Sequence, residues 1–540
     1  MMNGERDVEK AASATNHKAF LSYLYDAAGV TQEVLDWSYQ GHGTQSDPFV
    51  VEFLVADSAN PLQLPSWRKW SITFLQAFAV LAVSFASSSF SSGIPYIVDE
   101  FNVSRMVALL GVSLPLVFAP LSEMFGRQLI FVITFGALTA FNAGAAGSKN
   151  IETLLILRFL AGTIGSAPLT NAGGVIADMF SADERGLANA LFATVRLDNP
   201  CMTRLTGLLG YVLCSLCLPL FSPADANVSQ APFLGPAVGP IAGGFLSQAK
   251  GWRWLQGLMA IFTGVLWILG SLWVPETYAA VILRRRAEVL SKITGHVYVS
   301  KFDVGHPNKA LLAELRKALL RPWQLLFLEP IVLLCSIFQA VVFGTLYMMF
   351  AAFPIVFQQT RGWSNGVGGL AFLGVAIGMM FAVGYSGYDN IRYIKVNKSY
   401  DGGAPPEMRL PPALIGSVLL PIGLFWFAWT NGPNIHWIVP IVGSGFFAAG
   451  LVLVFLSLMN YLVDSYVIYA ASVLAASSVL RSLFAAAFPL FTTNMYHSLG
   501  IHWASSVPAF LSLACVPFPF LFFRYGKSIR LRCKYAAQVA

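Results

Sequence analysis

The chain has 540 residues, of which 56% are hydrophobic and only 11% charged. A soluble globular protein carries roughly 25% charged residues; a chain this poor in charge cannot cover a folded surface with polar groups, and a lipid bilayer is the solvent that suits it. The net charge of +7 is modest and its basic residues sit between apolar runs, which argues against a nucleic-acid partner and fits loops on one side of a membrane.

Residues 1–70 are polar and mixed and read as a cytoplasmic tail, largely disordered. Apolar runs long enough to cross a bilayer, about 20 residues each, follow at 71–95, 103–121, 128–147, 151–178, 186–246 in pieces, and 253–275. The longest polar stretch, 276–326, carries Arg284, Arg285 and Arg286 and reads as a cytoplasmic central loop. Six further runs lie at 327–357, 367–386, 411–429, 436–461, 466–491 and 504–523, leaving 524–540 as a second cytoplasmic tail. The pattern predicts an all-α membrane protein with twelve transmembrane helices in two six-helix bundles, 71–275 and 327–523. With both tails and the central loop in the cytoplasm, only Arg105, Lys149, Lys250, Arg253 and Arg361 of the 34 Lys and Arg fall in external loops, the asymmetry that sets orientation.

The fifth run is interrupted. Residues 186–194 and 231–244 would join into one helix, but 195–230 lie between them, with an apolar stretch at 210–221 too short to span. A translated in-frame intron begins with GT, hence Val, and ends with AG, hence Gln, Lys or Glu; Val195 and Gln230 comply. The segment therefore reads as a retained intron, the alternative being a genuine loop. If it is present, it parts two half-helices at membrane depth, where exposed backbone is costly.

Three segments carry motifs. Glu123, Gly126 and Arg127 crowd a helix corner in Ala119-Pro-Leu-Ser-Glu-Met-Phe-Gly-Arg127-Gln. Gly126 permits a tight turn, and Glu123 can hold a base on a neighbouring helix end in one conformation and release it in another. Arg158 lies inside the fourth run; an arginine there costs about 2.5–3.5 kcal/mol on insertion scales, so it must face a cavity or a partner. In Gly235-Pro236-Ala-Val-Gly239-Pro240-Ile-Ala-Gly243-Gly244, small residues four apart let helices approach closely and the prolines bend the span.

These segments resemble three signatures of the major facilitator superfamily. The corner is similar to G-x-L-a-D-r-x-G-r-k, with Ala119 where the first Gly is usual and Glu123 for Asp. Val274-Pro-Glu-Thr-Tyr278, Arg409-Leu-Pro-Pro412, Asn460-Tyr-Leu-Val-Asp464 and Val479-Leu-Arg481-Ser-Leu-Phe484 resemble the fungal twelve-helix drug:proton antiporters that export polyamines and drugs. The resemblance implies that Arg158 takes part in proton coupling. It also implies that the Gly235–Gly244 pattern marks an antiporter, in which substrate leaves as protons enter. The expected protein is thus not an enzyme. It is a monomeric plasma-membrane exporter of small organic molecules (drugs, polyamines or secondary metabolites), whose partners are that substrate, protons and the lipid bilayer. No cofactor and no metal is implied. An uptake symporter or facilitator of the same fold, or a form disrupted by 195–230, are the alternatives.

In a two-bundle transporter the cavity lies at the midplane. Gln339, Phe343 and Tyr347 share one face of the seventh run; Asn189 on the fifth and Phe484 on the eleventh join them as candidates. Aromatic walls suit flat or cationic apolar compounds. The acids near the membrane, Asp178, Glu329 and Asp464, all lie near ends of runs. Glu329 is accounted for by the start of a helix, and Asp178 stands about 30 Å from Arg158 by helix rise. No acid is singled out as proton carrier. None of the 7 histidines falls in the middle of an apolar run. Cys214-x-x-Cys217 sits among apolar residues and does not point to a metal or redox site.

Overall fold

A computed structural model describes residues 29–45, 47–54, 57, 59–102, 125–165, 167–180, 231–304, 311–400, 404–466 and 469–535. The candidates Glu123 and Asn189 and the segment 195–230 lie outside them. The described helices of the first half are α1 (Gln32–Leu35), α2 (Ser66–Phe101), α3 (Arg127–Ala146), α4 (Ile151–Gly165), α5 (Ala167–Met179), α6 (Ala231–Lys250) and α7 (Trp252–Trp273). Then come α8 (Ala279–Thr294), α9 (Leu311–Leu328), α10 (Pro330–Phe353), α11 (Asn365–Leu370), α12 (Phe372–Lys398), α13 (Pro411–Thr430), α14 (Ile438–Ser465), α15 (Ala470–Cys515) and α16 (Pro517–Arg530). Two short strands, β1 (Phe49–Val51) and β2 (Tyr298–Ser300), pair in parallel.

Packing divides the spans into two bundles. In the first, α6 lies along α2, and α7 along α3; in the second, α10 pairs with α15, and α13 with α14. The outer surface is apolar: Ile261 is 63% exposed and Ile268 53%, tolerable only in lipid. By contrast α10 and α14 are buried on nearly every side, as helices apolar all round must be.

Several boundaries differ from expectation. The first span is 36 residues long rather than 71–95, because Ser66-Trp-Arg-Lys-Trp continues the helix through the interfacial zone where such residues are favoured. The runs at 466–491 and 504–523 are two helices, as expected, the two arms of α15 parted at Gly500, whose φ of 75° breaks the helix between them. The proline-rich fifth span runs as one helix from Ala231 to Lys250, with Pro236 and Pro240 inside it.

The expected disordered tail and polar loop are corrected more substantially. Residues 276–326 contain α8, β2 and most of α9. The tail contributes β1, which pairs Phe49 with Tyr298 and Val51 with Ser300. Val34, Val51, Leu283, Ala287 and Leu290 form a small apolar core between tail and loop. Arg286 and Asp57 are 0% and 3% exposed and bond at 2.5 Å; Arg286 also donates to the Gly29 carbonyl. The second tail is likewise ordered where described: α16 reaches Arg530, which pairs with Glu407. Neither segment looked structured because each buries its apolar face only against the other, far away in sequence.

Burial alone would raise the Asp57 pKa, but the hydrogen bond and charge of Arg286 outweigh it and hold the carboxyl below its ordinary 3.8. The pair's stability is therefore present above 3.8 and lost only as pH falls through the lower folded value. Asp57→Asn strands a buried guanidinium, which costs about 3–5 kcal/mol. Limited proteolysis is expected to cut the tail of this variant rapidly, and to spare the unaltered tail equally from pH 7 to roughly pH 5.

Candidate functional site

The close contact of Ser92 with Asn365 aligns the far end of α2 with the turn after α10, so α2 and α10 run the same way and begin on one face. The described C-terminal residues lie on that face too, because the backbone N–H groups of Lys534 and Tyr535 donate to Glu329 just before α10.

On the terminal face the corner around Gly126 is built as follows. Gly126 has φ 104°, and a Cβ there would lie 2.1 Å from a Glu276 carboxylate oxygen. That carboxylate accepts from the backbone N–H of Arg127 at 2.9 Å and of Gln128 at 3.3 Å, so a negative charge caps the positive end of α3. Arg127 pairs with Asp178 at 3.3 Å and lies over the Tyr278 ring. Gly174 leaves the room that the guanidinium fills. Glu276 and Tyr278 were visible in the sequence only as a stretch of resemblance. Their role depends on contact with a corner about 150 residues earlier, which spacing cannot reveal.

The second half has a matching corner. Arg409 bonds Asp464 at 2.8 Å and stacks on Tyr393, which donates to the same carboxylate. Glu329 does not cap α10, as its position before Pro330 suggested. It makes no cap bond and instead accepts from the Tyr466 hydroxyl at 2.8 Å and from the backbone of Lys534 and Tyr535. All three acids considered in the sequence are thus anchors on the terminal face.

The Gly/Pro pattern of α6 forms a seam. A Cβ on Gly235 would meet Ser84 at 2.5 Å; on Gly239, Ser88 at 2.0 Å; on Gly243, the Ser89 carbonyl at 3.0 Å. Ser88 and Ser92 of α2 donate to the carbonyls of Gly235 and Pro240. On its other side α6 meets the second bundle. Gly244 lies against the Asn365 carbonyl, and Gly369 against that of Pro240. Asn365 donates to the Ser92 carbonyl at 2.8 Å and to Ser247 at 3.1 Å, while Gln248 accepts from the Gly366 N–H at 2.9 Å. These bonds close the face opposite the chain ends. Pro236 is buried within the same seam.

Arg158 is buried and turns toward α2, donating to the Ala86 carbonyl at 3.2 Å with its guanidinium 4.4 Å from the centre of the Phe90 ring. Of the midplane candidates, Phe343, Tyr347 and Phe484 are partly exposed, and Tyr347 reaches Ser87 of the other bundle at 3.2 Å. Gln339 is 2% exposed and accepts a bond from Ser477, which joins α10 to α15 inside the bundle. Arg481, read only as part of a resembling stretch, stands 5.0 Å from the centres of both the Phe343 and Phe455 rings.

A family model described as Major Facilitator Superfamily matches residues 76–222 and 226–489. The chain is 56% identical over 521 residues to an MFS-type efflux pump, MFS2, of Trichophyton rubrum, covering 95% of this chain and 82% of that one. It is 53% identical over 544 residues to the multidrug transporter mdrA of Aspergillus fumigatus, covering 99% and 84%. The xylose transporter XylE of E. coli, in a partially occluded inward-open conformation, superposes with a TM-score of 0.53 at 15% identity, over 85% of this chain and 98% of that one; at that identity the likeness is one of fold.

Gly239→Ala is expected to force α2 and α6 apart and destabilise the protein by about 1–3 kcal/mol. Ser88→Ala alone removes one hydrogen bond, worth about 1 kcal/mol. Because Ser88 Oγ is the atom in the way, the double variant should melt higher than the sum of the two losses predicts, which thermal unfolding of the purified variants in detergent will read.

Proposed function

Because the chain belongs to the Major Facilitator Superfamily, a family of membrane transporters and not of enzymes, we propose that it exports small organic molecules in exchange for protons by alternating access. The observation that carries this reading is the seam of α6. One helix packs backbone-close on α2 and on α11, and a handful of polar bonds from Asn365 and Gln248 hold the bundles together on one face. Such a seam can part without exposing a large apolar surface, which is what a rocking transporter requires.

The Gly/Pro pattern that builds the seam is the one whose resemblance implies antiport, and efflux pumps are among the chain's relatives. Arg158 serves coupling as a fixed charge, since a guanidinium does not release its proton in a protein. It biases the field beside α2 and the cavity. The distribution of Lys and Arg supports a cytoplasmic location for the chain ends; the plasma membrane is the membrane proposed, and the site's position between two bundles of one chain supports a monomer.

The test is efflux from pump-deficient yeast expressing either the full chain or a form lacking 195–230. Export that a protonophore abolishes is expected, and Arg158→Gln should reduce it about tenfold or more, in line with loss of one buried charged interaction. Energy-independent equilibration of every exported compound would overturn antiport. If only the shortened form exports, 195–230 is foreign to the working protein; equal export by both makes it a tolerated loop.

A further inference from the structure

The fixed charges of the described spans are sorted by depth. Asp178, Glu276, Glu329, Asp389, Glu407 and Asp464 all lie toward the terminal face, and Asp99 and Glu100 at the far end of α2 and Glu152 in the first turn of α4 lie toward the opposite one. Between these layers stand two guanidiniums, Arg158 on α4 and Arg481 on α15. Arg158 is committed to the α2 backbone and the Phe90 ring. Arg481 is differently placed. It is partly exposed, it donates to the neutral Ser478 hydroxyl at 3.1 Å, and no carboxylate among the described residues forms an ion pair with it.

Its surroundings face the space between the bundles. The Phe343 and Phe455 rings flank the guanidinium. Phe343 contacts Tyr347, whose hydroxyl meets Ser87 across the bundle interface. Ser87, Ser91, Phe343, Tyr347, Arg481 and Phe484 are all partly exposed, the condition expected of groups that line a shared cavity. The wall thus offers one guanidinium fork, neighbouring hydroxyls and aromatic faces. A guanidinium presents parallel N–H donors that match a carboxylate bidentately, and flat rings receive a flat apolar body.

We propose that Arg481 is the substrate anchor and that the exported compounds are aromatic or other flat apolar carboxylic acids, bound as their anions. The inference rests on the export reading for direction only. A cationic substrate would have to enter a midplane whose described fixed charges are both positive, an unfavourable placement at low dielectric. An anion leaving and a proton entering also move charge the same way, so a potential negative inside drives both halves of the exchange.

The test uses the purified full chain in detergent and three probes of one shape: 2-naphthoate, 2-naphthamide and 2-naphthylmethylammonium. Calorimetric titration should show naphthoate binding about tenfold or more tighter than the amide, with the ammonium weakest. Arg481→Gln should bring the acid to the level of the amide and leave the amide unchanged, while Arg481→Lys keeps part of the preference. Equal binding of acid and amide, preference for the ammonium, no binding of the acid, or an undiminished preference in Arg481→Gln would each overturn the assignment. Should Arg481→Gln fail to fold, the ranking of probes by the unaltered protein and by Arg481→Lys decides. Efflux of naphthoate from proteoliposomes separates the two claims: binding with the predicted ranking but no proton-coupled export overturns the export reading and leaves the anchor standing.

Discussion

The architecture depends on how closely the backbones of α6 and its neighbours approach. In water, helices are pressed together by the hydrophobic effect; in lipid they are held by close packing and by bonds between polar groups. Gly235, Gly239 and Gly243 remove the side chains that would keep α6 from α2, and the serines of α2 then reach the α6 carbonyls. Gly244 and Gly369 repeat this economy between the bundles. The same helix therefore holds the first bundle together and forms the surface on which the second one packs. A side chain added at the seam would act on stability and on transport through one contact.

Charge is arranged around that seam in two ways. At the terminal face, carboxylates are fully employed: Glu276 caps α3, Asp178 holds Arg127, and Asp464 holds Arg409. They tie helix ends within each half together, and Glu276 links the start of α3 to the start of the segment that joins the bundles. At the midplane the two arginines lie against aromatic rings. Each elementary charge that crosses a membrane potential of 100 mV is worth about 2.3 kcal/mol. The sign of the cavity therefore decides whether the potential helps or opposes export.

Much of this was legible in the sequence. Hydropathy marked the spans, because lipid demands long apolar helices, and the Gly/Pro pattern and Arg158 stood out because each is costly in a span without a purpose. Contacts made over long separations were not legible. Glu276 meets the corner at Gly126, Asn365 meets Ser92, and β1 meets β2 across roughly 150, 270 and 250 residues of chain. Gln339 and Tyr347 show the same limit: helical spacing put both on one face, but only packing shows that Gln339 bonds Ser477 within its own bundle while Tyr347 reaches Ser87 of the other. Glu329 misled because a carboxylate before a helix is ordinarily a cap, and here Tyr466 and the chain end compete for it more successfully.

The most direct test of the account is proton movement coupled to substrate movement in proteoliposomes that contain the full chain and a pH-sensitive dye in the lumen. With an exported compound trapped inside and a more acidic medium outside, the account predicts that the lumen acidifies faster as the compound leaves, and that neither flux occurs at that rate without the other. A compound that leaves with no added proton entry, or that moves in the same direction as the protons, would contradict it.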